Sequence, residues 1–196
     1  MLQELPTRSS RESRAVVLET GRLVLRQPTL ADVKAIASIV GDHRVAINLR
    51  RVPHPYSVDD ATQFVSGVAN TGGMTTLLIE RRNETVGLAS LTWDNDGKPE
   101  LGYCLGVDYW GQGFATEAAR ALIDFAFEEF SIDAIHSAAR VLNPASRHVL
   151  EKCGFQWTGV ELHRFLALGS STPVDCFRLE RGVWSSLKGW SNAVRR

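Results

Sequence analysis

A glycine-rich turn is the part of the sequence whose residue types most clearly suggest chemistry. The stretch Trp110-Gly111-Gln112-Gly113 joins a segment that alternates like a strand to a segment with helical periodicity. Glycine at positions 111 and 113 lets a ligand approach the main chain closely. The first amides of a helix lack internal partners and lie at the positive end of its dipole. The turn therefore predicts an anion site made of main-chain amides, suited to a phosphate or a pyrophosphate.

The spacing of the two glycines does not by itself require a ligand. Close packing of a strand on a helix would explain such a turn equally well. A phosphate loop of the NTPase type is excluded, because Gly113 is followed by Phe114-Ala115 and not by Lys-Ser or Lys-Thr. A dinucleotide fingerprint is excluded too, because the third glycine and the N-terminal βαβ unit are missing.

The segments around this turn predict an α+β fold with helices covering a mixed sheet. Strand patterns lie at residues 21–26, 74–81, 85–93, 100–107, 132–141, 156–162 and 175–179. Helical patterns lie at residues 29–40, 57–69, 113–130 and 145–152. Residues 43–56 are expected to form a loop or a broken helix, and residues 169–173 a loop. Three consecutive hairpin-length strands after residue 73 favour antiparallel pairing.

The chain as a whole has the composition of one globular domain. Its 196 residues can bury a substantial core, and 22 basic residues balance 22 acidic ones. That balance gives no global reason to expect nucleic acid or an anionic membrane as a partner. We expect a disordered arm over residues 1–15, a single domain over residues 16–190, a frayed tail from residue 191 and a cytoplasmic location. The odd number and wide spacing of Cys104, Cys153 and Cys176 favour reduced thiols and predict no metal site.

Several short motifs, taken in order, resemble the GNAT N-acetyltransferases. They are Gly102-Tyr103, residues 109–118, Asn143-Pro144-Ala145-Ser146 and residues 150–155. Residues 22–26 are similar to the first strand of the branch that includes the ribosomal-protein N-terminal acetyltransferases. The resemblance covers about residues 19–184. It implies a mostly antiparallel sheet that is splayed at the acyl-CoA site, with acetyl-CoA as co-substrate and a monomer or homodimer as the assembly.

The resemblance also assigns residues to the coenzyme. The amides that would hold the pyrophosphate are those of Gln112, Gly113, Phe114, Ala115, Thr116 and Glu117. The strand that splays at a bulge would pair its backbone with the pantetheine arm through Leu105, Gly106 and Val107, and Asn143 would bond the same arm. On residue type alone, Asn143 could instead be a turn residue before Pro144. Glu117 could likewise be an acid that only the helix dipole stabilises.

The group that protonates the leaving thiolate is not the usual one. Many relatives carry a tyrosine for this role where the present chain has Leu150. In the ribosomal branch the corresponding candidate is a serine, which assigns the role of general acid to Ser146. A cap at the start of the helix after Pro144 is the alternative role for that serine.

The sequence offers three candidates for the general base that removes a proton from the amine. His136 is the first candidate. It lies on the same face of its strand as Ala138, the position where some relatives carry a glutamate. Glu100 on the neighbouring strand and Glu161 further along the chain are the others. Each has a purely structural alternative, so the base stays unassigned.

The acceptor region and the reaction class are more open. Arg44, Arg50 and Arg51 lie where relatives bind the acceptor, and they could favour an acidic acceptor or simply be solvated. The resemblance implies transfer of an acetyl group from acetyl-CoA to a primary amine of a protein N-terminus or a small molecule, by direct attack on the thioester. A non-catalytic acyl-CoA-binding or regulatory module is the alternative, and a phosphate-binding structural domain is a third possibility.

Overall fold

The computed structural model describes residues 16–70, 75–94 and 96–193. The arm expected over residues 1–15 lies outside the described residues. The strands are β1 Val17–Glu19, β2 Val24–Arg26, β3 Thr75–Arg81, β4 Glu84–Trp93, β5 Pro99–Leu105, β6 Ala134–Arg140, β7 Gln156–Phe165 and β8 Ser170–Glu180. The α-helices are α1 Val33–Gly41, α2 His43–Ala46, α3 Val58–Asn70, α4 Phe114–Glu129, α5 Pro144–Lys152 and α6 Arg181–Ala193.

The strands form one eight-stranded sheet in the order β1-β2-β3-β4-β5-β6-β8-β7. Every neighbouring pair is antiparallel except β5 and β6, which are parallel. The α+β class and the mixed, mostly antiparallel sheet are therefore confirmed. None of the helices in the described part of the chain is long and apolar enough to span a membrane.

The sheet opens between its two parallel strands. β5 and β6 pair at a single position, Glu100 with His136. One residue further along each strand, the buried Ser137 hydroxyl donates to the Leu101 carbonyl at 2.9 Å, where a backbone donor of β6 would otherwise be needed. The expected splay is thus present. The expected bulge is not seen between β4 and β5, whose described residues pair without a register shift.

Helices cover both faces of the sheet. Strand residues alternate between faces, and Leu77 and Ile79 pack in the cluster that contains the apolar side of α4. Leu78, between them, packs in a second cluster with residues of α1 and α3. The large cluster fixes the position of α4, and therefore of the glycine turn at its beginning, against the middle of the sheet.

The C-terminal part of the fold departs from the sequence prediction. The prediction of a loop at residues 169–173 is wrong. The chain turns at Gly169, whose φ is 63°, and β8 begins at Ser170. Pro173 is tolerated within β8 because it lies one residue beyond the ladder with β6, which ends where Arg140 pairs with Val174.

Helix α6 was not predicted, and neither was the short strand β1. The tail expected to fray from residue 191 is helical as far as Ala193. Arg181 at the start of α6 donates to the carbonyls of Phe127, Phe130 and Ile132 at 2.7–2.8 Å. The Phe127 carbonyl belongs to the last turn of α4 and the other two lie just beyond its end, so α6 caps that helix from a distance in sequence.

Candidate active site

The glycine turn has the geometry of an anion site. Gly113 is the N-cap of α4 in the left-handed region, with φ 81° and ψ 1°, and no side chain caps this end. The first intrahelical bond of α4 runs from the Glu117 amide to the Gly113 carbonyl at 3.1 Å. The amides of residues 114–116 precede that bond and have no intrahelical acceptor. They provide donors suited to a pyrophosphate at the positive end of the helix dipole.

Glu117 does not offer a donor to a ligand. Its amide is used within the helix, and its carboxylate accepts from the Thr20 hydroxyl at 2.6 Å and from Arg22 Nε at 2.7 Å. The same arginine donates to the Gln112 carbonyl at 3.0 Å. Glu117 therefore positions the turn through Arg22, and its assignment to the coenzyme is corrected.

Positive charge lies next to the turn. The guanidinium groups of Arg22 and Arg81 lie over the Phe114 ring, at 4.6 and 5.0 Å from its centre. The Phe114 side chain is buried in the core, so only its main chain faces the turn. Arg81 adds to the attraction that the helix dipole exerts on an anion, whereas the charge of Arg22 is offset by its ion pair with Glu117.

A cavity of about 1300 Å³ occupies the gap between β5 and β6. Its lining joins three parts of the molecule: the glycine turn, the open side of β5 and the first turn of α5. Of the residues predicted from the sequence, those in the lining are Glu100, Leu105, Gly113, Phe114, Ala115, Thr116, Asn143 and Ser146. Those outside it are Gly106, Val107, Gln112, Glu117 and His136.

The end of β5 is less available to a ligand than the sequence suggested. The Gly106 amide donates to the Val86 carbonyl at 2.9 Å, and the Val107 carbonyl accepts from the Trp110 amide at 3.1 Å. The Leu105 carbonyl accepts from the Trp110 indole at 2.9 Å. Internal hydrogen bonds thus occupy these groups, and the pantetheine role of Leu105, Gly106 and Val107 stays a prediction without support from this geometry.

Tyr103 provides the open main chain instead. The carbonyls of Leu101 and Leu105 both point to the edge of β5 that faces the gap, as their hydrogen bonds from Ser137 and Trp110 show. The main-chain groups of Tyr103 lie between them on that same side, because alternate residues of a strand share a direction. Sequence reasoning missed this residue, although Gly102-Tyr103 was among the motifs that carried the resemblance.

The side chain of Tyr103 meets Ser146. Its hydroxyl oxygen lies 2.9 Å from the Ser146 carbonyl oxygen and 3.0 Å from Ser146 Oγ. Burial raises the pKa of Tyr103, so the phenol keeps its proton. The Ser146 amide donates to Asn143 Oδ1 at 3.1 Å, which makes Asn143 the helix cap. Ser146 therefore does not have the capping role, and its hydroxyl is directed to Tyr103.

The candidate bases are not equally placed. His136 lies outside the cavity lining, where β5 and β6 still pair. Burial, with the nearby cations Arg178 and Lys98, lowers the pKa of His136. The cavity geometry therefore gives no support to His136 as the catalytic base, and that assignment stays a prediction.

The two glutamates are engaged by partners. Glu100 lines the cavity and forms an ion pair with Arg50 at 2.8 Å. Arg50 Nη1 lies 3.1 Å from His163 Nδ1, and His163 Nε2 lies 2.9 Å from Glu161 Oε2. The hydrogen bond with His163 lowers the pKa of Glu161. The four side chains form one polar network at the end of the cavity.

Cys176 adjoins this network. Potential ligand atoms of Cys176, Glu161 and His163 lie within 4.8 Å of one another, a cluster that the cysteine spacing did not predict. Burial raises the pKa of Cys176 to about 11, which favours the thiol over the metal-binding thiolate. Hydrogen bonding within the protein is sufficient to explain the cluster.

The fold matches solved acetyltransferase structures. A RimL ribosomal L7/L12 α-N-protein acetyltransferase superposes with a TM-score of 0.74 and 20% identity, over 84% of this chain and 98% of the other. Spermidine N-acetyltransferase from Vibrio cholerae has a TM-score of 0.73 and 20% identity, over 84% and 99% of the two chains. At this level of identity, the likeness shows a shared fold.

Sequence comparison identifies the family. A protein called uncharacterized N-acetyltransferase p20, from Bacillus licheniformis, is 27% identical over 83% of this chain and 94% of its own length. The family model described as Acetyltransferase (GNAT) domain matches residues 22–156, which is more than half of the chain. The chain therefore belongs to the GNAT acetyltransferase family and is an acetyl-CoA-dependent acyltransferase.

Proposed function

We propose that this chain transfers the acetyl group of acetyl-CoA to a primary α-amine, of a protein N-terminus or a small molecule, by direct attack on the thioester. One observation carries the proposal: a single cavity joins the amide-lined turn to the Tyr103–Ser146 pair in the gap of the sheet. The structural neighbours named RimL and RimJ were solved with coenzyme A or a coenzyme A disulfide, which supports the same use of this fold.

The turn and the open strand fit the coenzyme. The amides of residues 114–116 would hold the pyrophosphate, since no side chain caps them. At Gly111 an added side chain would meet no atom within 4 Å, so the turn leaves room for the ligand. The main chain of Tyr103 and the side-chain amide nitrogen of Asn143 would hold the pantetheine arm. The coenzyme supplies an acyl thioester.

The reaction needs two proton movements, besides the C–N bond that forms and the C–S bond that breaks. The amine gives up a proton, and the sulfur gains one. The Ser146 hydroxyl would give a proton to the sulfur and regain one from the water that takes up the amine proton. Tyr103 keeps its own proton and donates a hydrogen bond to Ser146 Oγ along their 3.0 Å contact. We assign the donor role to this hydroxyl pair.

In the described part of the chain, the cavity lining contains no carboxylate without a partner that could receive the amine proton. Among the described residues the lining carboxylates are Asp60 and Glu100; Asp60 accepts from Ser57, and Glu100 pairs with Arg50. Two histidines, His148 and His163, also line the cavity. We therefore expect an acceptor that is partly neutral before it reacts, with water or an imidazole taking the proton. An α-amino group, with a pKa near ~8, meets this condition better than a lysine near ~10.4.

The test measures coenzyme A release with a thiol reagent while acetyl-CoA is supplied to a panel of amines. The panel contains N-terminal peptides, amino acids, aminoglycosides and polyamines. We expect release with at least one α-amine, rising with pH through the amine's own pKa. Saturable binding of acetyl-CoA, with no release of coenzyme A in the presence of any amine of the panel, would contradict the proposal.

A further inference from the structure

The acceptor end of the cavity is rich in guanidinium groups, and two of them have acidic partners. Arg44 and Arg50 line the cavity, as do Arg51 and Arg140. Arg44 pairs with Asp42 at 2.7 Å, and Arg50 pairs with Glu100 at 2.8 Å. These pairs cancel their charges within the protein, so neither arginine requires a negative group from outside.

The other two arginines have no carboxylate partner among the described residues. Arg51 Nη2 lies 3.4 Å from the neutral Thr92 hydroxyl. Arg140 Nη1 donates to the Ile47 carbonyl at 3.1 Å, and its guanidinium lies 5.7 Å from the centre of the Phe165 ring. Arg140 Nε is buried without a hydrogen-bond partner. The Nε atom is closed to solvent, so an anion in the cavity would be bound by the terminal Nη atoms of Arg140, which lines the cavity.

One short segment connects these two arginines, because it contains Arg51 and accepts a hydrogen bond from Arg140. Ile47, which holds Arg140, lies four residues before Arg51. Between them, the Arg50 carbonyl accepts from the Leu166 amide at 3.2 Å, which fastens the segment beside Phe165. Both unpaired guanidinium groups therefore belong to a built surface, held by β6, by the end of β7 and by the residues after α2.

We infer that the acceptor is a primary amine that carries a carboxylate, and that Arg51 and Arg140 bind this carboxylate. The inference rests on the proposed function, whose acceptor class it narrows. Guanidinium groups bind carboxylates through charge-assisted hydrogen bonds, and both of these residues line the cavity. A polyamine does not fit, because both lining carboxylates, Asp60 and Glu100, already have partners. The shared chemistry is that of a free amino acid or of a peptide with an acidic residue near its N-terminus.

Matched acceptors test the inference at saturating acetyl-CoA. The pairs are glutamate against glutamine, and peptides that differ only in Glu or Gln at the first or second position; spermidine serves as a cationic acceptor. We expect kcat/KM to be at least about 10-fold higher for the acidic member of a pair. Preference among free amino acids identifies a small-molecule acceptor, and preference among peptides alone identifies a protein N-terminus.

Variants locate the carboxylate site. Arg51→Gln should raise KM for the acidic acceptor about 10-fold at unchanged kcat, with little effect on its amide counterpart. Arg51→Lys should restore much of the loss, and Arg164→Gln, an exposed arginine outside the lining, is the control. The kinetics of Arg140→Gln are interpreted only if its melting temperature is unchanged, because the contact of Arg140 with Ile47 supports folding. Arg51 is exposed, so its replacement should not affect folding.

The outcomes separate the two proposals. Equal turnover of acidic and amide acceptors would overturn the carboxylate site while the acetyltransferase function stands. A preference for spermidine would overturn both the carboxylate site and the α-amine class of acceptor. An acidic preference that Arg51→Gln leaves intact would overturn the role of that arginine. Failure to acetylate any of the amines would overturn both proposals.

Discussion

The Tyr103 hydroxyl oxygen lies 3.0 Å from Ser146 Oγ and 2.9 Å from the Ser146 carbonyl oxygen. A carbonyl only accepts, so the tyrosine proton goes either to it or to the serine hydroxyl. When it goes to Oγ, the serine proton is free to point into the cavity. The two hydroxyl groups thus behave as one donor with two arrangements.

Removing either hydroxyl should slow the chemical step and leave coenzyme binding nearly intact. We expect Ser146→Ala to lower kcat by about 10²-fold, within the range for general acid catalysis, and Tyr103→Phe to lower it by less. Calorimetry should show the Kd for acetyl-CoA changed by less than about 3-fold, since the turn amides are untouched.

The double variant tests whether the hydroxyl groups act as a unit. Residues that share one role are not additive. The double variant should therefore be no slower than Ser146→Ala alone. Losses that multiply would show that Tyr103 and Ser146 act independently, and would refute a shared donor.

Gly113 should be the most sensitive position for coenzyme binding. Gly113→Glu places a carboxylate beside the amides of α4, so we expect the Kd for acetyl-CoA to rise at least about 10-fold. Gly97→Glu is the matched control. Its φ of 74° resembles the 81° of Gly113, and an added Cβ there meets no atom within 4 Å.

Both glycine variants carry the same backbone penalty, about 1–2 kcal/mol for a residue forced into the left-handed region. Their melting temperatures should therefore fall by similar amounts. Calorimetric titration with acetyl-CoA should separate them, with Gly97→Glu close to the unmodified chain. Equal Kd values for the two variants would remove the turn from the coenzyme site.

Much of the site was predictable from the sequence because its determinants are local. The glycine turn and the start of α4 follow from residue types a few positions apart. The hairpins β3-β4-β5 follow from alternation and turn residues in the same way. The helix after Pro144 was also predicted from local signals, but its cap was considered for Ser146, and the structure gives that role to Asn143.

The remaining features depend on contacts between distant residues. Alternation places His136 on a face of β6, but it does not say that β5 and β6 part immediately after Glu100. The partners of Glu100 and Glu117 are arginines 50 and 95 residues away, so their engagement could not be deduced from spacing. Tertiary contacts also place α6, whose first residue binds carbonyls near the end of α4.

Arg181 provides a test of this tertiary cap. Arg181→Lys keeps the charge, but a single ammonium lacks the planar fork that reaches Phe127, Phe130 and Ile132 together. We expect urea unfolding to show a loss of about 2–3 kcal/mol. Lys188→Arg, elsewhere on α6, should change stability little. A loss below about 0.5 kcal/mol for Arg181→Lys would show that the carbonyls are satisfied without it.

The ion pair of Arg22 and Glu117 should make stability depend on pH in the acid range. Burial tends to raise the pKa of Glu117, but hydrogen bonds from Thr20 and Arg22 outweigh it and leave the pKa below its usual 4.5. At neutral pH both folded and unfolded chains carry the charge, and the pair contributes fully. As the pH falls, the unfolded carboxyl takes up its proton first, so stability is lost down to the folded pKa.

Glu117→Gln should therefore lower the free energy of unfolding by about 1–2 kcal/mol at pH 7, a figure reduced because Arg22 is half exposed. The difference from the unmodified chain should stay constant down to about pH 5 and shrink below about pH 4. Glu128 lies on the same helix as Glu117 and is an exposed partner of Lys188. Glu128→Gln should therefore change stability less. Urea titrations at a series of pH values measure both variants. A difference that grows as the pH falls would contradict the lowered pKa, because a raised pKa in the folded chain predicts the opposite sign.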